Sequence, residues 1–536
     1  MADPNHSEKA RALPENNQST ADERAGHASS VIVLTKDVLI LHPRPVQFDP
    51  LDPLNWSLVQ KHTILAIIMA LYFMFTYITT TTVPSFPSLQ IQYSLSPEQA
   101  NWTVAIPALG LSIGPLLWSS VADIVGRRLV ILAGTGIALA STIGCALAAT
   151  YNGYMAARFF QGFGVSPAAT VGLAVINDLF FEHERGQKVG LWVLSIDLGL
   201  LCGPLIGGFV ALAGHIWIQW VTAVLFGVIM LAELAFLPET LYPRHLLLVK
   251  ASQAPSNGAT RKENAAESFS NFVISDLPRT KELGFLNLKP VPGMKHPKLL
   301  DTLIRFAKTF KYAAVSISVG TYCFAWYWWV LSVITMIPVA YANYSPQTQG
   351  LFFIGLIIGT LVSEIFFSGR MSDWLVIKLA RRHEGVKTPE MRLWLAYPGV
   401  ILSALGMTIW GVSIDQNWHW AVGQVAFMFF GAGIQMGNTA ICSYIVDAYP
   451  LQSMAVVVFY AVMLNLSAFV DPFFIVPWVD NVGFTWTFIG HSIITMFFCI
   501  PVIVLLHIFG RQIRERNGEP DWVDPGFDGD SLDLVN

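Results

Sequence analysis

The most informative part of this 536-residue sequence is the run Leu198-Gly199-Leu200-Leu201-Cys202-Gly203-Pro204-Leu205-Ile206-Gly207-Gly208. It lies inside an apolar segment, residues 188–213, that is long enough to cross a bilayer. In hydrocarbon, a Gly-Pro pair inside a helix opens a gap in the backbone hydrogen bonds, and neighbouring helices must cover it. Glycines let another backbone come very close. The run therefore predicts a kinked membrane helix in a bundle, with a packing motif of Gly199, Gly203, Pro204, Gly207 and Gly208.

The composition also points to the membrane. Hydrophobic residues make up 54% of the chain and charged residues 13%, whereas soluble domains are about a quarter charged. The net charge of −4 is small, and no basic stripe suggests a nucleic-acid partner. All the cysteines lie in apolar runs, which favours buried packing residues over disulfides. They are Cys145, Cys202, Cys323, Cys442 and Cys499.

Twelve segments are candidates for membrane-spanning helices, since one crossing needs roughly 20 apolar residues. The first six are residues 61–83, 102–122, 129–149, 154–178, 188–213 and 216–238. The second six are residues 312–341, 350–370, 393–414, 418–447, 453–476 and 484–508. A polar stretch separates the two sets. Its end, residues 299–311, has the pattern of a short amphipathic helix that lies on the membrane surface.

The positions of Lys and Arg predict the topology, because cytosolic loops are enriched in these residues. They occur in the loops after the second, fourth and eighth segments and in the polar stretch. The loops on the other side contain neither residue: 84–101, 150–153, 214–215, 342–349, 415–417 and 477–483. We therefore expect both termini in the cytosol.

The two sets of segments carry matching features. A small residue stands four positions before Asp123, and the same is true of Asp373; the fourth segment ends at Asp178 and the tenth at Asp447. Such duplication is common in secondary transporters, which bind their substrate between the halves. The predicted parts are a disordered cytosolic tail (1–56), a six-helix bundle (57–238), a cytosolic linker (239–311), a second six-helix bundle (312–510) and a cytosolic tail (511–536).

Four motifs carry a family resemblance. They are Asp123-Ile124-Val125-Gly126-Arg127-Arg128, Arg158-Phe159-Phe160-Gln161-Gly162, the run Gly199–Gly208 and Pro238-Glu239-Thr240. The chain resembles the major facilitator superfamily, and within it the fungal proton-coupled drug antiporters with twelve helices. Ser119 and Ile124 depart from the first signature, which has Gly and Arg at these places. The resemblance implies an all-α integral membrane protein with twelve transmembrane helices in two pseudo-symmetric six-helix halves.

The resemblance also implies a function, because the Gly-Pro motif is associated in this superfamily with export antiporters. We expect a proton-coupled exporter of a small organic molecule (a drug, toxin or secondary metabolite) that works by alternating access. The alternative is a proton symporter for uptake of a nutrient such as an organic acid or polyamine; a nontransporting sensor is disfavoured by the short tail. We expect no enzymatic activity, cofactor or metal, and a monomer whose partners are substrate, protons and bilayer. The plasma membrane is the expected location and the vacuolar membrane the alternative.

Proton coupling needs an ionisable group inside the membrane, and a buried carboxyl suits it because burial disfavours the charged form. Four acids lie within the segments: Asp197, Glu233, Glu364 and Asp471. Asp197 is nearest the middle and is predicted to carry the proton; the alternative is a packing hydrogen bond. Arg158 is the only basic residue, Arg or Lys, that lies well inside one of these predicted segments. The family motif implies a proton-coupling role for it, and a purely structural anchor is the alternative.

Two further groups of side chains are candidates. Asp123, Arg127, Arg128 and Asp373 are predicted to form a cytosolic gate in which acids and arginines pair across the two halves. Aromatic rings with a few amides suit a large amphipathic ligand, although membrane aromatics also contact lipid. The predicted substrate cavity consists of Tyr77, Thr80, Tyr322, Trp326, Trp329, Gln435, Asn438 and Asn465.

Overall fold

The computed structural model describes residues 49–242, 289–290, 296–368, 370–382, 388–518 and 520–522, without the side chains of a few of them, Asp373 among these. The rest of both predicted tails and of the linker lies outside the described residues. Within them, twelve helices are long and apolar enough to cross a membrane, which confirms the predicted number. Spans 1 to 6 are Leu58–Tyr93, Pro97–Val125, Arg127–Leu147, Tyr151–Leu179, Lys188–Ala213 and His215–Phe236. Spans 7 to 12 are Ala313–Ala340, Pro346–Ser368, Pro389–Asp415, Trp420–Ala448, Pro450–Phe473 and Ile475–Asn517.

Several spans consist of shorter pieces. In the first half these are the α-helices Leu58–Thr80, Phe86–Tyr93, Tyr151–Val165, Pro167–Leu179 and Glu182–Val210, and the 3-10 turns Val83–Ser85 and Ala211–Ala213. In the second half the α-helices are Ala313–Thr321, Trp329–Ala340, Pro346–Leu351, Ile354–Val362, Ala396–Asp415, Ser453–Val470, Ile475–Ile494 and Ile500–Asn517. The pieces of π-helix are Tyr322–Trp326, Ser363–Ser368 and Thr495–Cys499, and those of 3-10 helix are Pro389–Leu395, Pro450–Gln452 and Asp471–Phe473. Outside the spans lie the 3-10 turn Pro53–Asn55, the linker helix Asp301–Thr309 and the loop helix Arg370–Arg382.

Hydroxyl side chains begin several spans. The first backbone N–H groups of a helix have no partner within it, and a Ser or Thr at the N-cap accepts from one of them. Ser57, Thr150 and Ser345 cap spans 1, 4 and 8 in this way. Ser96 forms a reciprocal capping box with Gln99 at the start of span 2.

Two segments predicted as loops contain helix. Helix Phe86–Tyr93 continues span 1 and buries Phe86 and Leu89, so it packs against the bundle although it is too short to cross the membrane. Helix Ile475–Ile494 includes residues 477–483 and bends at Gly483. The φ of Gly483 is 81°, a left-handed conformation that glycine adopts without steric cost.

A side chain of span 1 covers the backbone gap in span 5. Pro204 has no N–H, so the carbonyl of Leu200, four residues earlier, loses its helical donor. The Thr80 hydroxyl donates to this carbonyl at 2.7 Å. One turn earlier, the Thr76 hydroxyl donates to the carbonyl of Ile196 at 2.5 Å. The predicted cover by a neighbouring helix is therefore present, and span 1 provides it.

The glycines of span 5 face two different neighbours. A Cβ atom at Gly199 would lie 2.0 Å from the carbonyl oxygen of Phe73, and one at Gly207 would lie 2.0 Å from that of Thr81. Gly203 is similarly close to Thr80. A Cβ atom at Gly208 would instead lie 2.5 Å from the carbonyl oxygen of Pro346 in span 8. Three glycines thus pack span 5 against span 1, and the fourth packs it against the second half.

The two six-helix halves meet along spans 2 and 11 and along spans 5 and 8. Ser112 of span 2 donates to the carbonyl of Val462 in span 11 at 3.1 Å. Spans 6 and 12 lie at the outside, since only 33% and 28% of their most apolar stretches are buried, compared with 83% for span 4. This division matches the predicted architecture of two halves around a shared interface.

The close contact at Gly207 predicts a large effect of one methyl group. We expect Gly207→Ala to destabilise the protein by about 1–3 kcal/mol, because overpacking moves backbone or forces strained rotamers. Gly227→Ala is the matched control, since a Cβ atom at Gly227 meets nothing within 4 Å. Thermal unfolding of both purified variants measures the difference. Equal melting temperatures for the two variants would show that spans 1 and 5 are not in close contact.

Candidate functional site

Asp197, in the middle part of span 5, links the two halves. Its carboxylate, on span 5, accepts a hydrogen bond from the Asn438 side-chain amide of span 10 at 3.1 Å. The Tyr460 hydroxyl of span 11 donates to the amide oxygen of Asn438 at 2.6 Å. All three side chains are buried, so this conformation is closed over them. A carboxyl of the first half therefore has its hydrogen-bond partner in the second.

Aromatic rings from both halves surround this carboxylate. Tyr72 of span 1 stacks on Trp192 of span 5, with ring centroids 4.0 Å apart. From the second half, Tyr322 and Tyr327 of span 7 lie close enough to Asp197 to interact with it electrostatically. Tyr72 does so from the first half. The site is thus a carboxylate between aromatic walls, a mixed surface of the kind expected for an amphipathic ligand.

Glu364, near the end of span 8, lies at the same interface. The Gln435 amide of span 10 donates to its carboxylate at 2.8 Å. A Cβ atom at Gly190 of span 5 would lie 3.7 Å from the other carboxylate oxygen. Asp197 interacts electrostatically with Glu364. The interface therefore holds two carboxyls, one from each half.

Arg158 is fully buried in the first half and bonds to neutral groups. Its guanidinium donates to the carbonyls of Thr103 at 3.0 Å, Ile78 at 2.7 Å and Thr79 at 3.4 Å, and to the Gln161 amide oxygen at 2.8 Å. These acceptors tie span 4 to spans 1 and 2. Within the part of the chain that the structure describes, Arg158 has no carboxylate partner.

Two predicted cavity residues lie inside the second half. The Trp326 indole donates to the Ser403 hydroxyl of span 9 at 2.8 Å. The Trp329 indole donates to the Thr495 hydroxyl of span 12 at 3.0 Å and stacks on His491 at 3.8 Å. Both indoles therefore point away from Asp197.

Three other predicted cavity residues have local roles. Thr80 covers the carbonyl of Leu200, as described above, and Tyr77 is buried in the first half beside span 5. The Asn465 amide donates to the carbonyl of Ala461 in its own helix at 2.7 Å. Of the eight predicted cavity residues, the structure brings Tyr322, Gln435 and Asn438 to the interface with the carboxyls.

Between spans 2 and 3, the predicted gate arginines bond within the first half. Arg127 forms an ion pair with Asp178, at the end of span 4. The Glu239 carboxylate accepts the backbone N–H groups of Arg127 at 3.0 Å and Arg128 at 3.2 Å, so it caps span 3. Gly126, with φ 110°, leaves room for Glu239, since a Cβ atom there would lie 2.4 Å from its carboxylate. These contacts of Arg127 and Arg128 lie within the first half, whereas the predicted pairing joins the two halves.

The second half repeats this arrangement. Arg392 at the start of span 9 bonds to Asp447 at the end of span 10 at 3.1 Å, and to the Ser372 hydroxyl at 3.2 Å. These positions correspond to Arg127 and Asp178 in the internal repeat. The side chain of Asp373 lies outside the described residues. Each half therefore has an ion pair between the start of its third span and the end of its fourth.

The linker helix contacts both halves. The hydroxyls of its Thr302 and of Ser120 in span 2 lie 2.6 Å apart, and Phe306 contacts Phe459 of span 11 with ring centroids 5.3 Å apart. The carbonyl of Asp123 accepts from the His296 ring at 3.1 Å, and the Asp123 side chain interacts electrostatically with Arg127. The helix corresponds to the amphipathic segment predicted at 299–311. It bridges span 2 of the first half and span 11 of the second.

The C-terminal tail fastens the linker helix from the other side. Lys308 forms a 2.8 Å ion pair with Asp521, which lowers the pKa of that carboxyl. Gln452 donates to the carbonyl of Trp522 at 2.8 Å, and the Trp522 ring lies edge-on to Tyr312. Residues 521–522 thus pack between the linker helix and the start of spans 7 and 11.

The carboxyl, amide and aromatic side chains at the site are groups that can bind a ligand. Within the described ranges, no group of three or more His, Cys, Asp or Glu side chains is placed to hold a metal ion. Twelve membrane spans in two halves, with buried polar groups where the halves meet, define a membrane transporter rather than an enzyme. The family model of the Major Facilitator Superfamily matches residues 65–469, and the chain belongs to this superfamily.

Curated relatives and solved structures agree with this assignment. The chain is 27% identical to an uncharacterized transporter of Schizosaccharomyces pombe, over 87% of this chain and 91% of the relative. It is also 27% identical to the efflux pump radE of Floropilus chiversii, over 87% and 84%. The xylose transporter XylE from E. coli, in a partially occluded inward-open conformation, has the same fold with a TM-score of 0.56 and 14% identity, over 84% of this chain and 99% of that one.

Sequence reasoning missed several residues of the site. Tyr460, Tyr72 and Trp192 were not predicted, although each lies on a span that also carries a predicted residue. The polar partner of Asp197 was among the candidates, as Asn438, but as a cavity residue. Helical spacing alone does not show which face of a span meets the other half.

The contacts of Arg158 predict a structural effect of its replacement. A Lys ammonium cannot reach Thr103, Ile78 and Gln161 together, because it lacks the planar fork of donors. We expect Arg158→Lys to destabilise the protein by about 1–3 kcal/mol, whereas Arg516→Lys, at an exposed position, leaves stability unchanged. Thermal unfolding gives the stability, and flux per folded molecule is measured with and without a pH gradient. Normal stability with lost dependence on the gradient would instead make Arg158 the proton-coupling cation.

Proposed function

We propose that this transporter exports a small organic molecule in exchange for protons, by alternating access of the interface between its halves. The observation that carries the proposal is the hydrogen bond between Asp197 and Asn438, which joins a buried carboxyl of one half to the other half. A proton on Asp197 changes what this carboxyl offers Asn438, from acceptors alone to an acceptor and a donor. Protonation and the contact between the halves are thereby linked.

Several observations support this mechanism. At the site, the hydrogen bond that crosses between the halves comes from the neutral amide of Asn438, and hydrogen bonds in membrane proteins average only about 0.6 kcal/mol. They can therefore break and re-form during a transport cycle. By contrast, the ion pairs Arg127–Asp178 and Arg392–Asp447 each lie within one half. Each half keeps its own structure while the contacts between them change.

The direction of transport is supported by the relatives. Two of them, radE and MFS2 of Trichophyton rubrum, are named efflux pumps, and each is 27% identical to this chain. The substrate, in this proposal, reaches Asp197 from the cytosol and displaces a proton that entered from outside. Uptake by a symporter would require substrate and proton to move the same way, and vesicle experiments distinguish the two directions.

We also propose the topology, the five-part division and the location given by the sequence. Both termini and the linker lie in the cytosol of a monomer in the plasma membrane. The support is the distribution of Lys and Arg, which are absent from the short loops at the other face. The structure adds that residues 521–522 and the linker helix contact each other, so they lie on the same side.

The proton-coupling role of Asp197 predicts the effect of one isosteric change. Asp197→Asn keeps an amide that can bond to Asn438 but cannot exchange a proton. We expect it to abolish the effect of a pH gradient on solute flux in vesicles, while exchange of solute without a gradient persists. Glu233→Gln is the matched control, because Glu233 bonds to Thr135 within the first half at 2.8 Å. An intact gradient effect in Asp197→Asn would remove Asp197 from the coupling mechanism.

The topology predicts the accessibility of single cysteines. The five native cysteines are buried or half-buried, so labelling at new exposed positions stands out. We expect Asn343→Cys, between spans 7 and 8, to react with a membrane-impermeant maleimide in intact cells. Lys311→Cys, after the linker helix, is expected to react only after permeabilisation. The opposite pattern would show that the chain is inserted the other way round.

A further inference from the structure

The interface between the halves has negative groups without positive partners. Asp197 and Glu364 each accept one hydrogen bond, from the neutral amides of Asn438 and Gln435. Among the described residues, neither carboxylate forms an ion pair. Arg158, a fully buried cation, is occupied by four backbone and amide acceptors in the first half. Charge at the interface is therefore uncompensated whenever either carboxyl is ionised.

The same place has an acceptor without a donor. Gln435 is 1% exposed, and while its amide nitrogen donates to Glu364, its amide oxygen has no hydrogen-bond partner. Gln435 and Asn438 are three residues apart on span 10, so they share one helix face. On this face the unpaired amide oxygen of Gln435 lies beside Glu364. One turn further along the helix, Asn438 bonds to Asp197. Buried acceptors of this kind are satisfied by a ligand that brings donors.

Aromatic rings complete the site. Tyr72 and Trp192 stack at 4.0 Å on the side of the first half, and Tyr322 and Tyr460 stack at 6.1 Å on the side of the second. The faces of Trp and Tyr rings attract cations, most strongly where water is excluded. The walls therefore suit an apolar body, and their electrostatics favour a positive charge over a negative one.

We propose that the substrate is a monovalent organic cation: a protonated amine on a compact apolar body. Its ammonium group lies between Asp197 and Glu364 and donates to the Gln435 amide oxygen, and its apolar body lies between the aromatic walls. This inference rests on the proposed transport function and names its substrate class. It assigns to Glu364 a role in selecting charge, separate from the proton-coupling role of Asp197.

The test compares three ligands with one carbon skeleton. Binding of 1-adamantylammonium, 1-adamantanol and 1-adamantanecarboxylate to the purified full-length protein is measured by isothermal titration calorimetry at pH 7. We expect the ammonium to bind at least tenfold more tightly than the alcohol, and the carboxylate to bind most weakly. Equal or tighter binding of the alcohol or carboxylate overturns the proposal, as does absence of ammonium binding at 10 mM, a concentration on the order of a weak Kd.

Variants then assign the selectivity to its residue. Glu364→Gln is expected to weaken ammonium binding at least tenfold and to leave the alcohol unchanged, while Glu233→Gln changes neither. An unchanged preference for the ammonium in Glu364→Gln overturns the role of Glu364, and the wild-type comparison does not depend on how that variant folds. These measurements use no gradient. If the protein shows no preference for the ammonium while flux in vesicles still follows a pH gradient, the substrate class is wrong and the proposed coupling stands. If the protein prefers the ammonium while flux does not follow the gradient, the coupling is wrong and the substrate class stands.

Discussion

The hydrogen bond from Thr80 to the carbonyl of Leu200 is the contact on which the rest of the site depends. Pro204 removes the helical donor for that carbonyl, and hydrocarbon offers no water to replace it. Span 1 must therefore lie against span 5, and the glycines on span 5 let the two backbones touch. This rigid pair of helices holds Asp197, which directly precedes the run 198–208, facing the second half. A proline that breaks one helix thus fixes the position of the carboxyl at the centre of the transporter.

The interactions of the chain differ in strength according to where they lie. Within each half, a partly buried ion pair and many backbone contacts fasten the helices, as Arg127 with Asp178 and Arg392 with Asp447 illustrate. Between the halves, the contact at the site is the hydrogen bond from Asn438 to Asp197. The linker helix adds a third kind of contact, because it bonds to span 2 and packs on span 11 from outside the membrane. Alternating access requires two rigid halves with weaker contacts at the interface between them.

The sequence was sufficient for the architecture because membrane spans obey a simple length rule and hydrocarbon excludes unpaired backbone groups. The twelve spans, the matching ends at Asp178 and Asp447 and the cover over Pro204 were all predicted in this way. The sequence did not predict the directions in which the side chains point. Trp326 and Trp329 follow the helical spacing of Tyr322, yet they bond inside the second half, because a π-helical piece at Tyr322–Trp326 changes the register of span 7. Three backbone carbonyls of neighbouring spans bind Arg158, and a sequence pattern does not show which carbonyls will be free to do so.

In the proposed mechanism the two halves separate on the cytosolic side during each cycle, and a cross-link tests this step most directly. Asn177 at the end of span 4 donates to the sulfur of Met454 in span 11 at 3.5 Å, so these positions meet when the inner side is closed. In a chain without native cysteines, Asn177→Cys and Met454→Cys are joined by a short bis-methanethiosulfonate reagent, with each single cysteine as control. The account predicts that flux in vesicles stops on cross-linking and returns on reduction. Full flux through the cross-linked protein would contradict it.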